Sequence, residues 1–228
     1  MSDATASFNA AFQALCTGHA PFRWQCRLFD RLAQGHVPPS CSLPTGLGKT
    51  SIIPIWLIAL AQSARANNGR PRLPRRLVYI VNRRTVVDQA TDDAKRLLGR
   101  IYRSGQRDGL PWATDEAIAA FGLKDEPPLP DEHAPTVATL REALAVLSGD
   151  DTAAPLAVSA LRGELADNAE WKVNPARPAI IIGTVDMIGS KLLFSGYGDR
   201  RYGRAHHAGL IGQDALIVHD EAHLSPAF

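Results

Sequence analysis

Short apolar runs alternate with helical patterns along most of the chain. Strands are predicted at residues 40–43, 76–81, 156–161, 179–183 and 216–219, and the last four are nearly continuous runs of Val, Ile, Leu and Ala. Helices are predicted at residues 4–15, 22–32, 50–64 and 85–98. Apolar strands that alternate with helices are typical of a parallel sheet covered on both faces, so the predicted fold class is α/β.

The regular pattern weakens between residues 104 and 155. This segment is rich in Gly, Pro and acidic residues, and only two short helices are predicted in it, near 114–121 and 136–147. We therefore predict a surface insertion at 104–155 within one α/β lobe spanning 22–228, with a separate helix in 1–21. The length of 228 residues suits one α/β domain of this kind.

Charge is distributed unevenly, although the net charge is only +2. Between residues 65 and 103 there are eleven Arg and Lys side chains and only three Asp. Such an excess attracts phosphates, but it is also compatible with an ordinary solvated face, and the sequence leaves both readings open.

Three cysteines, Cys16, Cys26 and Cys41, lack the spacing of a metal clip, and their number is odd. A reduced, cytoplasmic location is therefore expected. The start of the chain has no pattern of a secretory signal. The longest strongly apolar stretch, residues 52–61, is too short to span a bilayer, so no membrane partner is expected.

A Gly-rich segment lies between the predicted strand 40–43 and the predicted helix 50–64. It reads Leu43-Pro44-Thr45-Gly46-Leu47-Gly48-Lys49-Thr50. Glycines at a strand-to-helix turn let backbone N–H groups surround phosphates, Lys49 can reach the β- and γ-phosphates, and the Thr50 hydroxyl can bind Mg²⁺. Leu43 replaces the first Gly of the usual phosphate-loop pattern, and the alternative is a simple Gly-rich turn with an exposed lysine.

An acidic box, Asp220-Glu221-Ala222-His223, follows the last apolar run. The position predicts that Asp220 emerges at the carboxyl edge of the sheet, where ligands of open α/β sheets bind. There Asp220 can hold Mg²⁺, Glu221 can orient and deprotonate a water, and His223 can sense the γ-phosphate. The alternative is a strand end followed by a helix start, where acidic residues are common.

With both motifs, the chain resembles the first RecA-like lobe of superfamily 2 helicases of the DEAH-box type. It is most similar to the helicase-nuclease of type I CRISPR systems, in particular the I-U (I-G) subtype. The segments behind this closer resemblance are Tyr79-Ile80-Val81-Asn82-Arg83-Arg84-Thr85-Val86-Val87-Asp88-Gln89, Ala160-Leu161-Arg162-Gly163-Glu164 and Gly183-Thr184-Val185-Asp186-Met187-Ile188. The resemblance runs from about residue 22 to the end.

This resemblance implies further site residues. Gln25 would read the adenine of ATP, and Thr45, Gly46, Leu47, Gly48, Lys49 and Thr50 would hold its phosphates. Contacts to single-stranded DNA would come from Asn82, Arg83, Arg84, Arg162, Thr184 and Asp186. For Gln25 a plain polar position on a helix remains an alternative, for Thr184 a helix cap, and for Arg162 a turn after a strand.

The implied function is that of an ATP-dependent DNA helicase in CRISPR antiviral defence, with ATP and Mg²⁺ as cofactors. Its partners would be single-stranded DNA, a guide-RNA surveillance complex, a second RecA-like lobe and a nuclease domain. The last two are expected to lie outside this chain, which alone would hydrolyse ATP poorly. Alternatives are a restriction-type translocase, an RNA helicase, or a non-catalytic nucleic-acid-binding remnant.

Overall fold

The computed structural model describes residues 3–44, 46–124, 128–150, 152–162, 165–166, 168–196 and 199–225. Its α-helices are α1 (Asp3–Leu15), α2 (Arg23–Ala33), α3 (Ile52–Ala66), α4 (Arg84–Arg107), α5 (Asp115–Ala120), α6 (Ala134–Ser148), α7 (Glu170–Val173), α8 (Val185–Leu192) and α9 (Arg204–Gly212). Its strands are β1 (Arg76–Val81), β2 (Ala157–Arg162), β3 (Leu165–Ala166), β4 (Ala179–Thr184) and β5 (Ala215–His219). Single 3₁₀ turns occupy Lys49–Ser51, Arg201–Gly203 and Ala222–Leu224.

The chain divides into two compact units. Unit 1 comprises Met1–Leu73 and Arg96–Pro155, and unit 2 comprises Pro74–Lys95 and Leu156–Phe228. The segment 104–155, predicted as an insertion on the sheet, belongs to unit 1, where α6 packs against α1 and α3. This grouping depends on contacts between residues far apart in the chain, which the local pattern does not specify.

Unit 1 is a group of helices around α3, whose side chains are almost all buried, including Trp56. The rings of Phe8 in α1 and Phe29 in α2 stack with centroids 4.2 Å apart. The buried Arg141 of α6 pairs with Asp108 at 2.6 Å and fixes α6 beside the end of α4. Apolar burial on three sides of α3 therefore holds this unit together.

Unit 2 is built on one sheet with the strand order β3-β2-β4-β1-β5. Strands β2, β4, β1 and β5 are parallel, and only the two-residue β3 runs antiparallel, beside β2. Every residue of β1 is buried, so both faces of the sheet are covered there. Among the buried contacts, Trp171 of α7, Ile188 of α8 and Ile211 of α9 pack with β1, β2 and β4.

The predicted α/β class and the four long strands are confirmed, as are the predicted helices. The predicted strand at 40–43 is wrong: these residues form no regular structure. Cys41 and Ser42 are exposed, and prolines on both sides limit backbone pairing, so nothing orders the segment as a strand. Within the described ranges, no helix is long and apolar enough to cross a bilayer.

Two helices have bounds different from those predicted. Helix α3 begins at Ile52, after the 3₁₀ turn Lys49–Ser51, and not at Thr50. Helix α4 continues to Arg107, beyond the predicted end at residue 98 and past residue 104. Its extension is held by the buried side chains of Ile101 and Tyr102.

Candidate functional site

The Gly-rich segment of unit 1 has the backbone that its glycines allow. Gly46 and Gly48 have φ angles of 86° and 68°, a left-handed conformation that glycine adopts without steric cost. The chain then enters the 3₁₀ turn Lys49–Ser51 and continues into α3. Because the first N–H groups of a helix have no partner inside it, this segment presents donors suited to an anion. Thr45 lies outside the described residues.

Helix α2 braces this segment through two side chains. The Trp24 indole N–H donates to the carbonyl oxygen of Leu47 at 3.1 Å, and Gln25 Nε2 donates to Ser51 Oγ at 2.7 Å. Ser51 Oγ in turn donates to the carbonyl oxygen of Gly48 at 2.6 Å. We call Trp24, Gln25 and Ser51 the loop brace. It ties the left-handed Gly48 to a helix more than twenty residues earlier in the chain.

Gln25 is 3% exposed, and both ends of its amide are engaged. Besides the bond to Ser51, Gln25 Oε1 accepts from the Phe22 N–H at 2.7 Å and closes the start of α2. The resemblance assigns this amide to adenine. In unit 1, Nε2 instead bonds to Ser51 and Oε1 accepts from Phe22, which favours the interpretation of Gln25 as a structural polar residue.

The acidic box lies at the carboxyl edge of the parallel sheet in unit 2, as predicted for Asp220. Register pairs Val81 of β1 with Thr184 of β4, and Ile80 of β1 with His219 of β5. At a strand spacing of about 4.8 Å, Thr184 and His219 lie on either side of β1, roughly 10 Å apart. The fold therefore brings the residues that follow three strands to one edge.

Other predicted nucleic-acid contacts also lie at or beside this edge. Arg83 and Arg84 follow β1 and are exposed. Thr184 is the residue before α8 and makes no side-chain capping bond, and Asp186 lies in the first turn of that helix. Arg162 is the last residue of β2, but its side chain is not part of what the structure describes. These five positions are compatible with the predicted path of single-stranded DNA, which stays a prediction.

Asp220 is held by the neighbouring strand β1. Its N–H donates to the carbonyl oxygen of Ile80 at 2.8 Å, and its Oδ2 accepts from the Tyr79 hydroxyl at 2.9 Å. Glu221 has a left-handed backbone, with φ 51° and ψ 44°, which is uncommon for a residue with a side chain. His223 Nδ1 lies 3.4 Å from Glu221 Oε2, and the His223 side chain is 70% exposed.

Asn82 is engaged with this same acidic segment. Its Nδ2 donates to the carbonyl oxygen of Glu221 at 3.1 Å, and its Oδ1 accepts from the hydroxyl of Ser225. The resemblance assigns Asn82 to DNA, but both polar atoms of its amide contact the segment after β5. Sequence reasoning missed the roles of Tyr79 and Ser225, because they follow from strand register and not from a local motif.

The Gly-rich composition of residues 195–212 predicts a polar loop, but in unit 2 a buried charge cluster anchors Asp199, which lies between α8 and α9. Asp199 Oδ2 lies 2.6 Å from Lys191 Nζ and 3.0 Å from His207 Nδ1. Burial opposes ionisation of Asp199, but hydrogen bonds and charge from Lys191 and His207 outweigh it and hold its pKa below the ordinary value. The predicted loop is thus helical from Arg204, with a buried ionic anchor.

The donors for Mg²⁺ are few but chemically suitable. The described residues contain no group of three or more His, Cys, Asp or Glu placed to hold a metal ion. Mg²⁺ at nucleotide sites is usually bound by one or two protein oxygens together with phosphates and water. Thr50 in unit 1 and Asp220 in unit 2 each carry an oxygen of this kind.

No match to this chain was found among protein-family models, curated proteins or solved structures.

Proposed function

We propose that this chain binds Mg²⁺–ATP and forms the ATP-binding lobe of an ATP-dependent DNA helicase with a RecA-like phosphate-loop fold. The observation that carries the proposal is the backbone of residues 46–51. Two left-handed glycines lead into the 3₁₀ turn that bears Lys49 and Thr50, and this turn continues into the start of α3. Such a helix start binds phosphate through N–H groups and the helix dipole, and Lys49 adds a positive charge.

The acidic box supplies the second half of the proposal. When bound, Mg²⁺ would supply neutralisation of charge on the phosphates, and Asp220 would offer it a carboxylate oxygen. Asp220 suits this role because it lies at the carboxyl edge of a parallel sheet and one carboxylate oxygen is already oriented by Tyr79. Glu221 would accept a proton from the attacking water, and His223 would contact the γ-phosphate side.

The helicase assignment rests on the resemblance, together with the exposed Arg83 and Arg84 beyond β1. In the intact enzyme, ATP hydrolysis would drive movement on single-stranded DNA during CRISPR interference in the cytoplasm. A second RecA-like lobe and a nuclease domain would be needed for that activity. An ATP-binding lobe assayed by itself is expected to bind ATP weakly and to hydrolyse it slowly.

Calorimetric titration of the chain with Mg²⁺–ATP tests the proposal. Because a hydrogen bond to a charged group contributes about 1.5–3 kcal/mol, Lys49→Ala should weaken binding roughly 10- to 100-fold. Lys124→Ala, which removes an exposed lysine of the same unit, should bind like the unmodified chain. Glu221→Gln should keep the affinity and lose the residual hydrolysis. Equal binding by the unmodified chain and Lys49→Ala would refute the assignment.

The exposed arginines favour one other candidate, a nucleic-acid-binding module without catalysis. Such a module would bind single-stranded DNA with an affinity that falls with salt and does not respond to nucleotide. Its DNA affinity would also be unchanged in Lys49→Ala and Glu221→Gln. A nucleotide-dependent change in DNA affinity would instead support the ATP-driven enzyme.

A further inference from the structure

Two side chains near the carboxyl end of β1 contact the acidic box. Tyr79 donates its hydroxyl hydrogen to Asp220 Oδ2 at 2.9 Å. Asn82 donates from Nδ2 to the carbonyl oxygen of Glu221 at 3.1 Å. We call Tyr79 and Asn82 the β1 clamp. One member holds a carboxylate and the other holds the backbone of the next residue.

The Tyr79 contact is well suited to orient a carboxylate. Tyr79 is 1% exposed, and strand pairing on both sides of β1 fixes its backbone. Its hydroxyl therefore points at one Asp220 oxygen from a rigid position. A donor on one carboxylate oxygen sets the orientation of the other, and partners of this kind are important for metal affinity.

The Asn82 contact acts where the backbone is strained. Glu221 adopts φ 51°, a left-handed conformation that is unfavourable for a residue with a side chain unless the surroundings hold it. Asn82 provides such support, since it donates to the Glu221 carbonyl oxygen and accepts from the Ser225 hydroxyl. It thereby spans the turn from Glu221 to Ser225 and fixes where the Glu221 side chain begins.

We propose that Tyr79 and Asn82 are positioning residues for the acidic pair: Tyr79 orients the Asp220 carboxylate for Mg²⁺, and Asn82 holds Glu221 in the conformation needed for hydrolysis. This inference rests on the proposed ATP-binding function and assigns Asn82 a task other than contact with DNA. It predicts different defects for the two residues. Loss of the Tyr79 hydroxyl affects the metal, and loss of the Asn82 amide affects the rate.

Tyr79→Phe is tested by titrating Mg²⁺ at a fixed concentration of a fluorescent ATP analogue. The Mg²⁺ concentration for half-maximal binding should rise about tenfold, the usual cost of removing a partner of a metal-binding carboxylate. Nucleotide binding without Mg²⁺ should not change, whereas a merely structural defect would weaken both. Tyr202→Phe removes an exposed hydroxyl from the same unit and should leave the Mg²⁺ dependence unchanged.

Asn82→Ala is tested by single-turnover hydrolysis with the chain in excess over ATP. The rate constant should fall about tenfold while nucleotide affinity stays within twofold, as expected when an orienting partner is lost. Gln89→Ala, an exposed amide on α4, should keep the full rate. Asn82→Asp retains the shape but loses the donor, so it should behave like Asn82→Ala. Far-ultraviolet circular dichroism checks folding of each variant.

The outcomes separate this inference from the function on which it rests. If Lys49→Ala binds nucleotide as well as the unmodified chain does, the proposed function fails and the inference fails with it. If Lys49→Ala loses binding but Tyr79→Phe keeps the original Mg²⁺ dependence, only the inference is overturned. If Asn82→Ala lowers the nucleotide affinity and the melting temperature together with the rate constant, the inference is also overturned, because such a general loss indicates a structural role.

Discussion

Replacement of Gln25 by Ala distinguishes a base-reading glutamine from one that supports the Gly-rich segment. The change removes the bond from Nε2 to Ser51 Oγ and the bond from the Phe22 N–H to Oε1. It leaves Trp24 and its bond to Leu47 in place. The variant thus loosens the loop brace without deleting any residue of the phosphate-binding segment itself.

The expected loss of stability follows from these contacts. Two buried hydrogen bonds contribute about 1 kcal/mol each, and one lost buried methylene adds about 0.8 kcal/mol. The greater helix propensity of Ala offsets about 0.4 kcal/mol of this loss in stability at this position in α2. The net loss is about 2–3 kcal/mol. For a chain of this size that corresponds to a fall in melting temperature of about 4–12 °C.

The informative measurement is the affinity for ATP and for GTP, each with Mg²⁺, beside a thermal melt. If Gln25 supports the segment, Gln25→Ala lowers both affinities by the same factor, because the phosphates are common to both nucleotides. Ser51→Ala should resemble it, and the double variant should show a coupling of at least about 0.5 kcal/mol in stability. Arg27→Ala, an exposed change on the same helix, should alter neither affinity nor melting temperature.

A selective loss of ATP affinity, with GTP affinity and melting temperature unchanged, would refute the supporting role. It would show that the buried amide turns toward the base when nucleotide binds. A loss of stability without coupling to Ser51 would also contradict the reasoning, because the 2.7 Å bond would then contribute nothing measurable.

Two further predictions concern unit 2. Asp199→Asn should cost about 3 kcal/mol near pH 7, since it leaves Lys191 buried without its counter-charge. The pKa of Asp199 is lower in the folded state than in the unfolded state. Its contribution to the free energy of unfolding is therefore present above the unfolded pKa of about 3.9 and is lost as the pH falls through the folded pKa. Urea melts of the variant and of the unmodified chain should accordingly converge in acid. Arg83→Ala and Arg84→Ala should each reduce by about 0.7 the slope of log binding constant against log salt concentration for single-stranded DNA. The control Lys172→Ala, which removes an exposed lysine, should leave the slope unchanged. Unchanged slopes in the arginine variants would show that these two side chains do not contact the DNA.

The four parallel strands of unit 2 could be predicted from local pattern because each is a short apolar run bounded by polar residues, whereas the two-residue β3 was not predicted. The position of Asp220 followed from the same logic, since a residue after a parallel strand must lie at the carboxyl edge. The segment 40–43 forms no strand, and three of its four residues, Ser40, Cys41 and Ser42, remain exposed. By contrast, β5 forms by pairing with β1 although only Leu216 in it is buried.

Local patterns in the sequence are enough to predict the α/β class, the order of the main elements and the chemical types at the two motifs. They do not predict which side chains support those motifs. Gln25 and Ser51 are 26 residues apart, Tyr79 and Asp220 are 141 apart, and Ser225 meets Asn82 across 143 residues. Helix period and strand alternation report on neighbours within a few positions. Partners so distant meet only through strand register and helix packing, which no local pattern encodes.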